Sequence, residues 1–139
     1  MHHDIWDYDA PDPVVLFDAN VQGQARKGLV QVGKTGWAYI LDRVTGKRLL
    51  GMNERPVPQE PRQKTAATQP YPVGDAVVPQ QIDMVPEDAR RVPGTGDIPN
   101  GGRIFTPFWN EPAMMKPGTM GSANWPPSAY DPESNLLYV

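Results

Sequence analysis

Proline decides most of what this chain can fold into. Seventeen of its 139 residues are Pro, all but two of them from Pro56 onward. Each fixes its own backbone angle and removes a ladder or helix donor, which disfavours long helices. The 13 Gly add tight turns between the prolines. That pairing favours short strands with ordered loops. Apolar residues at 39% and charged residues at 21% are ordinary for a folded domain and too balanced for a wholly disordered chain. A net charge of −3 argues against a nucleic-acid partner, which calls for a basic face. No stretch approaches the roughly 18 apolar residues of a membrane span. Without Cys there is neither a disulfide nor a thiolate metal site.

Three regions separate. Residues 1–52 read as partial-blade strands: Val14–Asp18, Gly28–Val32, Trp37–Asp42 and Lys47–Leu50, broken by Gly-centred turns. Residues 53–100 hold nine prolines, from Pro56 to Pro99, and read as a long loop or connection. Tyr71, Val77, Val78, Ile82 and Met84 would pin that loop to a scaffold, and Val85–Arg91 suits a short helical turn. Residues 101–139 return to strand signals at Arg103–Thr106, Ser128–Asp131 and Leu136–Val139. Two units, Tyr39–Gly46 and Ala129–Asn135, share the order strand, Asp, turn, strand. In each the Asp is placed to bond backbone donors across the turn. The fold class expected is all-β, with antiparallel strand–turn–strand units as in a sandwich, barrel or propeller. The start shows no signal-peptide pattern and the end is an apolar strand run, as expected of a piece of a larger protein.

Three places can carry chemistry. In His2-His3-Asp4-Ile5-Trp6-Asp7-Tyr8-Asp9 an extended backbone would put His3, Ile5, Asp7 and Asp9 on one face. An imidazole with two carboxylates can hold a hard cation and set a general base beside it; a solvated strand end with turn-forming aspartates fits as well. The two His lack the His-x-x-x-His spacing of a zinc site. Lys34, between Gly33 and Gly36, can be lifted by a tight turn toward an anion, or can be an ordinary turn lysine. Asn124-Trp125, stiffened by Pro126-Pro127, offers an amide beside an aromatic shelf for a planar ligand; a core Trp is the plainer reading.

Taken together, the His2–Asp9 segment, Gly33-Lys34-Thr35-Gly36-Trp37 through Gly46, Arg55–Gln59, Thr68–Pro72 and Asn124–Glu133 resemble the PQQ-dependent quinoprotein alcohol and glucose dehydrogenases, in the same order along nearly the whole chain. The resemblance implies an eight-bladed β-propeller of four-stranded antiparallel blades, of which about two are represented. It implies pyrroloquinoline quinone (PQQ) near the axis beside Ca²⁺ or a lanthanide. Asp7 then matches the catalytic base and a metal contact, and Asp9 the additional metal-binding aspartate of lanthanide-using members. The His-His-Asp opening is closer to the glucose-dehydrogenase branch, which would put His3 or His2 near the cofactor. Lys34 matches the residue that contacts the quinone oxygens, and Asn124 with Trp125 a PQQ-contacting pair. The usual Glu and Asn metal ligands and the stacking Trp have no match. The family further implies an alcohol or sugar substrate, cytochrome c or ubiquinone as electron acceptor and a periplasmic location, with the isolated fragment inactive. The competing reading is a non-catalytic propeller of PQQ-like repeats serving as a protein-interaction scaffold, which has no reason to keep Asp7, Lys34 and Asn124-Trp125 together.

Overall fold

The computed structural model describes residues 1–82, 91–92, 96–97, 103–110 and 113–139. Strands β1 (Val15–Val21), β2 (Gln24–Gln31) and β3 (Tyr39–Asp42) form an antiparallel sheet in that order. In β1, Phe17 is buried and Val15, Ala19 and Val21 are half-buried, while Leu16, Asp18 and Asn20 face out. This is the period-two alternation of a sheet with one covered face. The β1–β2 turn is Gln22-Gly23, both at positive φ (53° and 80°), the backbone that lets a two-residue hairpin follow the strand twist. A bridge from Leu41 to Arg48 extends the sheet, so the expected Lys47–Leu50 strand survives as one pairing.

Part of the proline-rich stretch, expected to be loop, is a strand pair: β4 (Met52–Pro56) and β5 (Thr68–Pro72). With only two strands in this sheet, each has an unpaired edge that tolerates a missing donor, so Pro56, Pro70 and Pro72 fit. Short strands β6 (Arg91–Val92) and β7 (Gly96–Asp97) pair with each other. The expected helical turn at Val85–Arg91 falls largely outside the described residues, and Met84 wholly so. Arg103–Thr106 is not the expected strand: Arg103 makes one bridge to Gln81, and Ile104, Phe105 and Thr106 turn inward and are buried. At the end, β8 (Ala129–Asp131) and β9 (Leu136–Tyr138) form a hairpin.

Two cores result. One lies on the β1–β3 sheet: Phe17, Val30, Val32 and Ala123, with Tyr130 and Leu137 of the last hairpin packed on it. The other is aromatic: Trp6, Tyr8, Trp37 and Phe105, with Val57 and Ile104, and Tyr71 against them. Asp42 and Asp131 close their turns as expected. Asp42 accepts from the Val44 and Thr45 amides and the Thr45 hydroxyl, and Asp131 from the Glu133 amide and the Ser134 hydroxyl.

Candidate cofactor and acid–base site

The first ten residues are held by two rings. Trp6 is 1% exposed and its indole N–H donates to the Thr106 carbonyl at 2.7 Å; Tyr8 is 2% exposed and its hydroxyl donates to the Pro117 carbonyl. The rings lie 6.1 Å apart and Phe105 meets both edge-on, at 5.4 and 5.9 Å. Burial pushes the Tyr8 hydroxyl pKa well up, so it stays a donor. With Trp6 and Tyr8 committed inward, Asp7 and Asp9 are turned outward. The segment is not an extended strand, however: His3 and Asp7 have φ of 40° and 65°. The face expected to carry His3, Ile5, Asp7 and Asp9 together is therefore broken. Ile5 packs against the aromatic core.

Lys34 comes to the two aspartates from the β2–β3 connection. Its ammonium lies 2.7 Å from Asp7 Oδ2 and 2.7 Å from Asp9 Oδ1. The Lys34 amide donates to the Asp9 carbonyl at 3.2 Å, so backbone and side chain both bind the segment. The carboxylates remain exposed, while the Lys34 side chain is only 9% exposed. Hydrogen bonds to Asp7 and then Asp9 hold the ammonium pKa above the ordinary lysine value. Gly33 and Gly36 shape the turn: the Gly36 amide bonds the Gly33 carbonyl at 3.0 Å, and Gly36 has a φ of 77°. Val77 is tied to this turn, its amide donating to the Gly36 carbonyl.

The third candidate is tied to the lysine turn through the backbone just before it. The Ser122 amide donates to the Lys34 carbonyl at 3.1 Å and the Ala123 amide to the Gly33 carbonyl at 3.5 Å, which sets Asn124 directly beyond the lysine turn. Asn124 Oδ1 is buried with no protein partner. Trp125 is not a core residue: it is 75% exposed, with a φ of 69°. Asp7, Asp9 and Lys34 are thus joined through their side chains, whereas Asn124 lines a separate pocket with Val77, Val78 and Pro126. His3 is not joined to them by any hydrogen bond or ion pair among the described residues. His2 goes elsewhere, its ring 3.0 Å from Glu54 and its backbone held by the Gln69 carboxamide.

Two residues lie outside what the sequence anticipates. Gln69 is fully buried and serves to hold His2; a lone Gln between Thr and Pro carries no sequence signal of this. Asp12 is 5% exposed with neither carboxyl oxygen satisfied, although the Trp125 amide lies near it without closing a well-formed bond. Desolvation raises its pKa. The only hint is its place between Pro11 and Pro13.

Residues 1–139 match the PQQ family described as glucose/ethanol/alcohol dehydrogenase, beta-propeller domain. The chain is 32% identical to the glycerol dehydrogenase large subunit of Gluconobacter thailandicus over 98% of its own length, and 30% identical to the quinate/shikimate dehydrogenase (quinone) of Acinetobacter baylyi over 100%. It spans 20% and 18% of those proteins. Among solved structures it resembles in fold a quinohemoprotein alcohol dehydrogenase of Pseudomonas putida (TM-score 0.55, 24% identity, 96% of this chain and 16% of that one). It also resembles a europium-containing methanol dehydrogenase (TM-score 0.51, 22% identity, 98% and 19%). Nearly all the regular structure among the described residues is antiparallel sheet, and the chain belongs to the PQQ glucose/ethanol/alcohol dehydrogenase family of β-propeller domains.

Proposed function

We propose that the chain supplies part of the active site of a PQQ-dependent dehydrogenase that oxidises an alcohol or a sugar. The observation that carries this reading is the junction of Lys34 with Asp7 and Asp9 at 2.7 Å. A planar, anionic quinone suits a fixed cation with an exposed indole further along the chain. Lys34 and Asn124-Trp125 would hold it. For a hard dication the fit is partial. Such an ion takes about six to eight oxygens; Asp7 and Asp9 each commit one oxygen to Lys34 and keep one. Among the described residues no cluster of three or more His, Cys, Asp or Glu is placed to hold an ion. Asp9 would contribute its second oxygen to a shell completed outside this chain, while Asp7 Oδ1 is kept for the base.

When bound, PQQ supplies a two-electron acceptor and the metal a Lewis acid beside it. The rest falls to this chain. Asp7 Oδ1, opposite the oxygen bound by Lys34, takes the hydroxyl proton of the substrate. The Lys34 ammonium keeps that carboxylate oriented and places positive charge where oxygen charge develops on reduction. Trp6 and Tyr8 fix the backbone on either side of the base. His3 would serve near the cofactor from an exposed position. The proposal includes a periplasmic location and cytochrome c or ubiquinone as acceptor. No helix among the described residues is long and apolar enough to cross a membrane.

The test is an absorbance titration with PQQ and Ca²⁺ of the complete protein carrying this sequence, followed by turnover. Asp7→Asn is expected to keep PQQ binding and to lose about 10²–10⁴-fold in kcat, the share of a general base. Absence of PQQ binding by the unmutated protein, or full turnover by Asp7→Asn, overturns the reading.

A further inference from the structure

The Lys34 side chain is nearly closed off from solvent, and what lies against its stem is a glycine. A Cβ built on Gly121 would stand 2.3 Å from Lys34 Cβ, 2.4 Å from Lys34 Cα and 2.5 Å from Lys34 Cγ. The second of these three atoms belongs to the backbone, so no rotamer of Lys34 relieves the clash. Gly121 also has a φ of 75°, which by itself is enough to favour glycine. Gly46, at 70°, shares that backbone but has nothing within 4 Å of the same position. The dihedral accounts for Gly46; at Gly121 the close approach is a second, separate requirement.

The surrounding segment is anchored at both ends. The Gly121 amide closes a turn on the Gly118 carbonyl at 2.8 Å, and Ser122 continues onto the Lys34 carbonyl at 3.1 Å. Upstream, the Pro117 carbonyl accepts the hydroxyl of Tyr8, the residue between the two aspartates. Residues 117–123 therefore touch both halves of the ion-paired set.

We infer that Gly121 is a positioning residue, the closest point of a wedge from Pro117 to Ala123 that presses on the Lys34 stem and aims its ammonium at Asp7 and Asp9. Its importance to the reaction rests on the reading of Lys34 given above; the packing role does not. A methyl group at 121 must move the lysine or the wedge by about an ångström, since carbon atoms pack at about 3.5–4.0 Å. Either movement breaks one of the 2.7 Å contacts.

The test is lysine acylation followed by mass spectrometry on the complete protein without cofactor, with exposed Lys27, Lys47, Lys64 and Lys116 as internal references. Lys34 should be protected in the unmutated protein. Gly121→Ala should raise its relative reactivity roughly tenfold, as a held side chain passes to a locally open state. Gly118→Ala, with nothing within 4 Å of its new carbon, should match the unmutated protein. Tyr8→Phe, which frees Pro117 without a clash, should raise Lys34 reactivity by a smaller factor, and decides the matter if Gly121→Ala does not fold. Unchanged protection in a folded Gly121→Ala protein, an equal effect from Gly118→Ala, or unchanged protection in Tyr8→Phe overturns the inference. If the footprint behaves as expected and Lys34→Ala leaves PQQ affinity untouched, the wedge stands and the quinone-contact role of Lys34 falls.

Discussion

In the sheet core, Phe17, Val30 and Val32 reach the interior from β1, β2 and the residue after β2, in step with strand alternation. In the aromatic core, Trp6, Tyr8, Trp37 and Phe105 arrive from three segments, none of them within a strand. The first core supports a surface; the second fixes particular neighbours. Asp7 sits between Trp6 and Tyr8, and the lysine turn runs directly into Trp37. Burying an aromatic ring orders the backbone on each side of it, and an irregular segment needs that order more than a strand does. Asp7, Asp9 and Lys34 accordingly lie beside the aromatic core, while Asn124 follows Ala123 of the sheet core.

If that division is right, the aromatic core should be the more costly to damage. Trp6→Ala removes a fully buried ring, its contacts with Tyr8 and Phe105, and the donor to the Thr106 carbonyl. The expected loss is about 3–5 kcal/mol in urea unfolding of the complete protein. Lys34 acylation should rise as well, because Asp7 and Asp9 lose their anchor. A loss under about 1 kcal/mol, below the range for a buried Trp, would show that the ring is not structural.

The sheet core is tested at Gly28, which pairs directly with Phe17. The Phe17 ring lies over it, so that an added Cβ would fall 2.1 Å from Cζ. Gly28→Ala must displace the ring from Tyr130, 5.7 Å away, at an expected cost of about 1–3 kcal/mol, the range for overpacking. Phe17→Leu in the same protein should recover part of that cost, since the two residues share one space. Unlike Trp6→Ala, this change should leave Lys34 protected. A rise in Lys34 reactivity would mean that the cores are not separable.

The same contrast explains what is legible in the sequence. The strands β1 to β3 follow from alternation and glycine-centred turns, and the last hairpin from its Asp131-Pro132-Glu133-Ser134-Asn135 turn, all of them local rules. The Asp42 and Asp131 turns are also local, each closed within three residues. The His2–Asp9 segment reads as extended, because sequence does not show that Trp6 and Tyr8 each have a distant carbonyl to bond. Arg103–Thr106 has strand composition yet plugs the aromatic core, since burial of Ile104 and Phe105 outweighs local preference. Asp7, Asp9, Lys34 and Asn124 can be named individually, or by family resemblance, but the junction of Lys34 with the two aspartates and the tie from Ser122 to the lysine turn are long-range contacts. Gly121 carries no signal, because a glycine required by packing reads the same as one required by a turn.

The smallest effects belong to the two aspartate turns, and they order themselves by donor count. Asp42 accepts three donors and Asp131 two. Bonds from Thr45 to Asp42 and from Ser134 to Asp131 hold both carboxyls below the usual aspartate range. A carboxyl whose pKa is lower folded than unfolded stabilises the fold above its unfolded value of about 3.9, and that contribution disappears as pH falls through the folded value. Asp42→Ala should therefore lower the melting temperature at pH 7 slightly, and Asp131→Ala by less. Both differences from the unmutated protein should shrink as the pH drops below about 4, where the unmutated carboxyls take up protons. Asn at either position keeps an acceptor oxygen and should flatten this acid dependence while retaining most of the turn. An Asp131→Ala effect larger than that of Asp42→Ala would mean that donor count does not set the order, and that loss of the last turn is passed on to the sheet core through Tyr130, which packs on Phe17.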